Sequence, residues 1–353
     1  MRDSGQLLQI VHEGMAKAGL DVTAIYIRLG YDAEKLKGSE LRTQHQMQAF
    51  FWETVEAVTG DADVGLHLCP HLPPYRGEII QYLMFSSPNF GDGALRALKY
   101  LRLVSDALNV RVVRDDAGVR VCVKGAAKSA PQLRHTEICV VYELIRFAKA
   151  VSEDSFRPLR VRLCCSRRSA QAEYERVFGC PVEFDGSESE IWFDPAVLAF
   201  SSPHRDADLL SLHEELAEKR LSNLQREDLV DQIRTVFAQR LELEHCTLEE
   251  VARELGMPAR RLRFALTRTG TSFSELLSDF RYALARRLLS RTDDPIENIV
   301  YLTGFSEPST FYRAFKRWSG LTPVQYREQR RAAHKSRAAG ATDGALAAAT
   351  RKP

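Results

Sequence analysis

Apolar residues recur along this chain with two periods, and the change from one to the other divides it. From Gly5 to Gly60 the spacing is helical. Leu7, Leu8, Val11, Met15 and Ala16 fall on one stripe, and residues 46–58 carry a second one, rich in aromatics at Phe50, Phe51 and Trp52. Leu95, Leu98, Leu101 and Val104 predict a helix over 94–108. The period then falls to two. Residues 110–113 and 119–123 alternate around Asp115-Asp116-Ala117-Gly118, which is a β-hairpin pattern. Helix returns over 138–151. Strands are expected at 160–163 and 191–193, flanking a helix at 171–178 and the short apolar run 182–184. Residues 1–203 therefore read as an α+β domain.

From residue 206 to about 331 the pattern is helical. Two helices are expected at 206–224 and 227–243, the second with Leu229, Ile233, Val236, Phe237 and Leu241 on one stripe. A shorter pattern then occurs twice. In the first copy Thr247 and Glu250 have capping-box spacing before Leu248, Val251 and Leu255. Gly256 stops that helix, because the turn needs a residue free to take positive φ, and Pro258 is suited to start the next one. The second copy runs from Pro295 through Gly304 to Phe315. It sets Ile296 and Ile299 where the first has Leu248 and Val251, and Phe311 and Phe315 where the first has Leu262 and Leu266. Helix, glycine turn, helix, given twice, predicts two helix-turn-helix units. Between them Ser272 and Glu275 form another capping box. They open a helix with Phe273, Leu276, Leu277, Phe280, Leu284, Leu288 and Leu289 on one side. From residue 273 to about 290 it is roughly 27 Å long at the α-helical rise. The chain is thus expected to comprise an α+β regulatory domain (1–203), a linker helix (204–225) and an all-α double helix-turn-helix domain (226–331). A tail without periodic apolar residues, expected to be disordered, completes it (332–353).

Charge gives the C-terminal part a chemistry. Residues 246–331 hold fifteen Lys or Arg against ten Asp or Glu, a surplus of five where the whole chain has two. On each second helix one side has nothing apolar to bury. In the first unit it offers Arg260, Arg263 and Thr267, with Arg261, Phe264 and Arg268 beside them. In the second it offers Ser309, Thr310, Tyr312, Arg313, Lys316 and Arg317. Arginine forks onto guanine edges, and Ser or Thr serves bases or phosphates. One such face alone is the ordinary solvated side of a helix. Two, on duplicated turns held by a rigid spacer, suit successive major-groove segments about 34 Å apart on one side of a duplex. Arg260, Arg263, Tyr312 and Arg313 are assigned to bases, and Arg261, Lys316 and Arg317 to phosphates.

Other chemistries find less support. Seven cysteines at positions 69, 122, 139, 164, 165, 180 and 246 are an odd number without framework spacing, and read as buried free thiols. His67, Cys69 and His71 alternate, but no second cluster with zinc spacing accompanies them, so no metal or other cofactor is expected. Asp3, His12 and Glu13 interrupt any signal-peptide layout, and no apolar run approaches a membrane span; a cytoplasmic protein with no membrane partner is expected. A Gly-rich phosphate loop, a Gly-x-Ser-x-Gly elbow and a His-Glu-x-x-His motif are all absent, so an enzyme is not expected. A DNA-repair alkyltransferase would need a Pro-Cys-His-Arg motif, whereas here Cys69 and Cys180 each precede a proline. A nonspecific nucleoid protein would not need two recognition helices at fixed spacing.

The run from Gly304 to Arg327 carries Gly-Phe, Phe-x-x-x-Phe-Lys, Gly-x-Thr-Pro and Tyr-Arg in order, and closely resembles the C-terminal signature of AraC/XylS bacterial transcription regulators. The first unit matches more loosely: relatives usually have a capping Ser at Pro258 and often Arg at Phe264. Toward the N-terminus, Gly60-Asp61, Val64-Gly65-Leu66, Ser86-Ser87-Pro88, Tyr100 to Ser105 and Phe178 to Phe184 resemble the arabinose-binding-like effector domain of one subset of that family. The resemblance implies a regulator of promoter DNA, an activator working with RNA polymerase under a small-molecule effector. The alternative is an N-terminal domain that only dimerises or touches polymerase. A homodimer is left open. Tyr82, Tyr100, His135, Tyr142 and Trp192 are the candidate effector contacts, as polar groups within a mostly apolar domain.

Overall fold

The computed structural model describes residues 1–30, 42–74, 78–124, 131–240 and 246–332. It divides into two compact units, 1–222 and 223–353. The expectations for 241–243 and for the tail beyond residue 332 fall outside the described residues.

Unit 1 begins with β1 (Arg2–Ser4), α1 (Gly5–Lys17), α2 (Val22–Leu29), β2 (Arg42–Gln44) and α3 (Met47–Thr59). The short antiparallel β1–β2 pair has too few residues to show an alternating pattern and was not legible in the sequence. Next come α4 (Val64–Leu68), α5 (Ile79–Ser86) and α6 (Phe90–Lys99). The helix expected at 94–108 is displaced. It starts earlier because Asn89 caps it, its side chain accepting the Asp92 N–H at 2.8 Å. It stops at Lys99, and residues 101–103 tighten into a 3-10 turn that brings Ser105 onto the Asp3 carboxylate at 2.5 Å.

The hairpin is where the alternation placed it, as β3 (Val110–Asp115) and β4 (Gly118–Val123). Following are α7 (Arg134–Val151), β5 (Pro158–Arg162), α8 (Gln171–Phe178), β6 (Val182–Glu183) and β7 (Ser189–Phe193). The sheet has the order β3-β4-β7-β5-β6, antiparallel except for the last pair. Strand alternation sorts its faces. Val121, Ile191 and Val161 are register partners that belong to the same core as Ile138, Val141 and Ile145 of α7. On the opposite face Trp192 is the register partner of both Arg120 and Arg160, whose guanidinium groups lie 4.7 and 4.3 Å from its ring centroid.

The two helices expected at 206–224 and 227–243 are one, α9 (Ala207–Arg240). No Gly or Pro interrupts this stretch, and without a breaker a continuous helix satisfies more backbone groups than two. Its first part belongs to unit 1: Ala217 is fully buried with Ile80, Leu83 and Tyr100, and Arg96 pairs with Glu214 at 2.8 Å. Its second part gives Ile233, Val236 and Phe237 to the core of unit 2.

Unit 2 continues with α10 (Leu248–Glu254), α11 (Ala259–Arg268), α12 (Phe273–Arg291), α13 (Ile296–Leu302), α14 (Pro308–Ser319) and α15 (323–332). Both capping boxes form reciprocally, Thr247 with Glu250 and Ser272 with Glu275. Gly256 and Gly304 take φ of 65° and 74° at the two turns, as left-handed turn positions demand. Pro258 caps α11 from just outside rather than starting it. Two separate cores result. Leu276 of α12 joins Leu262 and Leu266 in one, and Ala285 and Leu289 join Phe311 and Phe315 in the other.

Candidate DNA interface and effector chambers

The helix-turn-helix units expose the side chains that the pattern left unburied. Leu262 and Leu266 anchor α11, leaving Arg260, Arg263, Phe264 and Thr267 at i, i+3, i+4 and i+7 on the opposite side, flanked by exposed Arg261 and Arg268. Phe264 is 64% exposed, and the Arg268 guanidinium lies 6.0 Å from its centroid. Arg263 reaches only as far as Glu249, at 3.9 Å. On α14, buried Phe311 and Phe315 leave Ser309, Thr310, Arg313, Lys316 and Arg317 exposed. Tyr312 is half-buried and packs at the fringe of the second core. Superposing the two anchor pairs sets Arg260 on Ser309, Arg263 on Tyr312, Phe264 on Arg313 and Thr267 on Lys316.

Not every arginine of this unit faces outward. Arg281 of α12 donates from Nη2 to the Gly304 carbonyl at 2.8 Å and stacks 4.8 Å from the Phe305 centroid, fastening the second turn to the spacer. Arg327 likewise donates to the Asp294 carbonyl at 2.7 Å. Both are structural cations, so part of the basic surplus of this segment serves the fold.

In unit 1 the five candidate effector residues are spread out. His135 is fully buried; its Nδ1 accepts the Gly65 N–H at 3.1 Å and its Nε2 meets Glu56 at 2.5 Å. Burial, against the opposing pull of Glu56, holds its pKa below the usual imidazole value. A Cβ at Gly65 would stand 2.8 Å from the His135 Cα, so the helix contact requires glycine there. Tyr100 donates to Glu218 at 3.2 Å, and Tyr82 stacks on His213 with centroids 5.3 Å apart, so both meet the first part of α9. Tyr142 lies beneath Arg146, and Trp192 lies between its two arginines on the sheet.

Two half-open pockets of about 180 Å³ each are also present in the unit, and none of these five residues lines either. The first is lined chiefly by α1, α2, α3 and α7, with Val11, Phe51, Trp52 and Leu72 among its walls. The second lies between α7, α6 and the sheet, against Leu98, Val121, Phe147 and Phe156. Leu7, Val140 and Glu143 belong to both. Their walls come from elements distant in sequence, so periodicity carried no signal for them.

The cysteines are free, and all but Cys246 are buried. Burial pushes the Cys165 and Cys180 thiols up to about 11, which keeps them protonated and unreactive. His67 turns to Asp61 at 2.7 Å, while Cys69 donates to the Gly65 carbonyl at 3.2 Å, so these two do not converge on a common point. Cys122, Glu188 and Glu190 do lie within 4.8 Å of one another, but Arg111 pairs with Glu188, and Arg120 and Arg162 pair with Glu190. Among the described residues no helix is long and apolar enough to cross a membrane.

Residues 19–201 match the family described as the arabinose-binding domain of AraC transcription regulator, N-term, and residues 251–329 match a helix-turn-helix domain. The chain belongs to the AraC family of transcription regulators. It is similar over 338 residues to the ornithine utilization regulator of Pseudomonas aeruginosa, at 28% identity, covering 91% of this chain and 97% of that one. The transcriptional activator NphR of a Rhodococcus species is 28% identical over 134 residues, 38% of this chain and 40% of that protein. Among solved structures, the DNA-binding domain of AdpA in complex with a target DNA is 25% identical. That match covers 29% of this chain and 93% of that domain, with a TM-score of 0.27. As an AraC-family member the chain is a DNA-binding regulator rather than an enzyme, and α11 and α14 are the second helices of its two helix-turn-helix units.

Proposed function

We propose that this regulator activates transcription at specific promoters, together with RNA polymerase in the cytoplasm, and that a small molecule held in unit 1 controls it. The observation that carries the DNA reading is the pair of equivalent, largely exposed faces on α11 and α14, each backed by its own core on the shared helix α12. α12 spans nineteen residues, about 28 Å at the helical rise, which suits neighbouring major-groove segments. Control by a ligand is supported by the two chambers and by α9. That helix packs beside the chamber-lining helices α5 and α6 through Ala217, and further along supplies Ile233 and Phe237 to the first helix-turn-helix core.

Arg313 is assigned to a guanine, Lys316 to a phosphate, and Phe264 to a thymine methyl, the one base-edge group an aromatic ring can contact without leaving a polar atom unpaired. In titrations against operator and random DNA, Arg313→Ala should lose about 1–3 kcal/mol on operator alone. Lys316→Ala should weaken both DNAs equally and reduce the salt slope by about one contact. Phe264→Ala should erase the difference between operator carrying thymine and the same operator carrying uracil. Equal losses on both DNAs for Arg313→Ala would remove it from base recognition.

We also propose that the chain pairs with a second copy through α9. Leu209, Leu212 and Leu216 are 47, 58 and 39% exposed at i, i+3 and i+7, an apolar seam of the kind that zips two helices. Sedimentation should give a dimer for the native chain and a monomer for Leu212→Glu. An unchanged sedimentation coefficient would refute the seam.

A further inference from the structure

Four arginines of unit 2 belong neither to the recognition helices nor to the two clamps described above. Arg286, Arg287 and Arg291 of α12 and Arg330 of α15 line one open pocket of about 380 Å³, together with Ala283, Ser290 and Tyr326. Helical geometry fixes which way it looks. Ala285 and Leu289 are the buried side of this end of α12, in the core that also holds Phe311 and Phe315 of α14. Tyr282 packs on Phe315 there, with ring centroids 5.8 Å apart. At about 100° per residue, Arg287 and Arg291 lie roughly 200° around the helix from Ala285 and Leu289. The two helices press their anchor sides together, so the arginine side of α12 and the exposed face of α14 look in opposite directions. A duplex lying along α14 does not reach the pocket.

The pocket is rich in donors. Tyr326 is buried, and its hydroxyl oxygen accepts from Arg286 Nε at 3.1 Å and from Arg330 Nε at 3.2 Å. Burial alone would raise the Tyr326 pKa, but the bonds from Arg286, Arg330 and Ser290 bring it below its ordinary 10.0. The phenol oxygen is thereby filled. The Nη groups of Arg286 and Arg330 remain, with the whole guanidinium groups of Arg287 and Arg291. Among the described residues no carboxylate pairs with any of the four; Asp293, two residues past Arg291, is taken by Arg331 instead. Like charges at i and i+4, as at Arg287 and Arg291, repel. Two of the four heads are nevertheless pinned through Nε, which leaves their Nη groups set to fork onto an oxyanion.

The charge to be matched is concentrated. A DNA backbone or an acidic peptide brings one charge per phosphate or carboxylate, strung along a chain. A terminal phosphoryl group brings about two charges and three acceptor oxygens, so two linked ones come close to balancing four arginines in one pocket. We propose that this pocket on the back of α12 binds the diphosphate group of a free small molecule. Arg286 and Arg330 hold one phosphoryl group beside Tyr326, and Arg287 and Arg291 hold the other. A ligand so placed ties α12 to α15 and stabilises the second core without touching the recognition faces.

The test titrates inorganic pyrophosphate into the full chain by calorimetry, with ionic strength held constant by NaCl. Saturable binding is expected, at least about tenfold tighter than that of sulfate. Arg287→Gln combined with Arg291→Gln should weaken it by about tenfold or more while circular dichroism stays native, since both side chains are exposed and unpaired. Saturating pyrophosphate should raise the melting midpoint of the native chain and leave that of the double variant in place. Arg313→Ala and Lys316→Ala should bind pyrophosphate as the native chain does, whatever α14 reads. Competition names the source: displacement by ADP assigns a diphosphate ester, and displacement by pyrophosphate alone assigns the free anion. Unsaturable binding, sulfate binding as tight as pyrophosphate, or an unchanged double variant would overturn the proposal. A loss in Lys316→Ala equal to that in the double variant would place the anion on α14 and do the same. Random duplex DNA should bind the native chain and the double variant within about twofold of each other. A loss on duplex as large as that on pyrophosphate would assign this face to a DNA backbone, and displacement by hexaglutamate at lower concentration than by pyrophosphate would assign it to an acidic protein; either rejects the small molecule.

Discussion

Asp63→Ala should destabilise unit 1 by about 3–5 kcal/mol, the range for removing one partner of a buried ion pair. Asp63 and Arg134 are both almost fully buried, and Arg134 Nη2 meets Asp63 Oδ1 at 2.5 Å. The carboxylate also accepts the Tyr174 hydroxyl at 2.7 Å and the Ser169 N–H at 2.8 Å, so its loss strands three donors, one of them charged. Reversible urea unfolding of the full chain checks this. The double replacement Asp63→Leu with Arg134→Met should cost less than Asp63→Ala alone, because no charge is left behind. A single-variant loss below about 1 kcal/mol would mean the pair contributes no more than a surface salt bridge.

The pH dependence has a definite sign. Burial would raise the Asp63 pKa, but the bonds from Tyr174 and Ser169 and the Arg134 charge together hold it below its ordinary 3.8. A depressed carboxylate contributes its full stability above the unfolded value and loses it as pH falls through the folded one. The gap between native chain and Asp63→Ala should therefore be constant from pH 7 down to about 5, and close below pH 3.8.

Phe315→Ala should have the second large effect, about 3–5 kcal/mol, the usual cost of emptying a buried phenylalanine site. Phe315 is fully buried, with the rings of Phe311, Tyr282 and Tyr326 centred 5.8, 5.8 and 5.4 Å away. Because the second helix-turn-helix has its own core, the damage should stay within α13, α14 and the end of α12, while the core built on Phe237 and Leu266 survives. Circular dichroism should show a partial loss of helix before the main transition. Footprinting should lose the protected segment read by α14 and keep the one read by α11, with operator affinity down at least tenfold, about one base contact or more. Loss of both segments together would show that unit 2 unfolds as a single block and that the two cores are not independent.

Much of the candidate DNA interface was legible in the one-dimensional pattern. Thr247 with Glu250, and Ser272 with Glu275, announce helix starts through contacts three residues apart, and Gly256 and Gly304 announce turns through a conformation only glycine takes easily. Leu262, Leu266, Phe311 and Phe315 then fix which side of each second helix is buried, so the exposed side follows by elimination. The hairpin at 110–123 was equally plain, since each strand alternates and the turn between them is short.

Position in sequence by itself set the periodic faces, the caps, the turns and the family signature, because each is made by residues within a few places of one another. Tertiary structure alone decided the rest. It made Arg281 a clamp on the Gly304 carbonyl, set His135 against Gly65 and Glu56, and ran residues 207–240 as one helix. It also shaped two largely apolar, half-open pockets that share Leu7, Val140 and Glu143. A void is defined by where side chains from α1, α3, α6, α7 and the sheet stop short of one another, and the spacing of residues along a chain does not encode that distance.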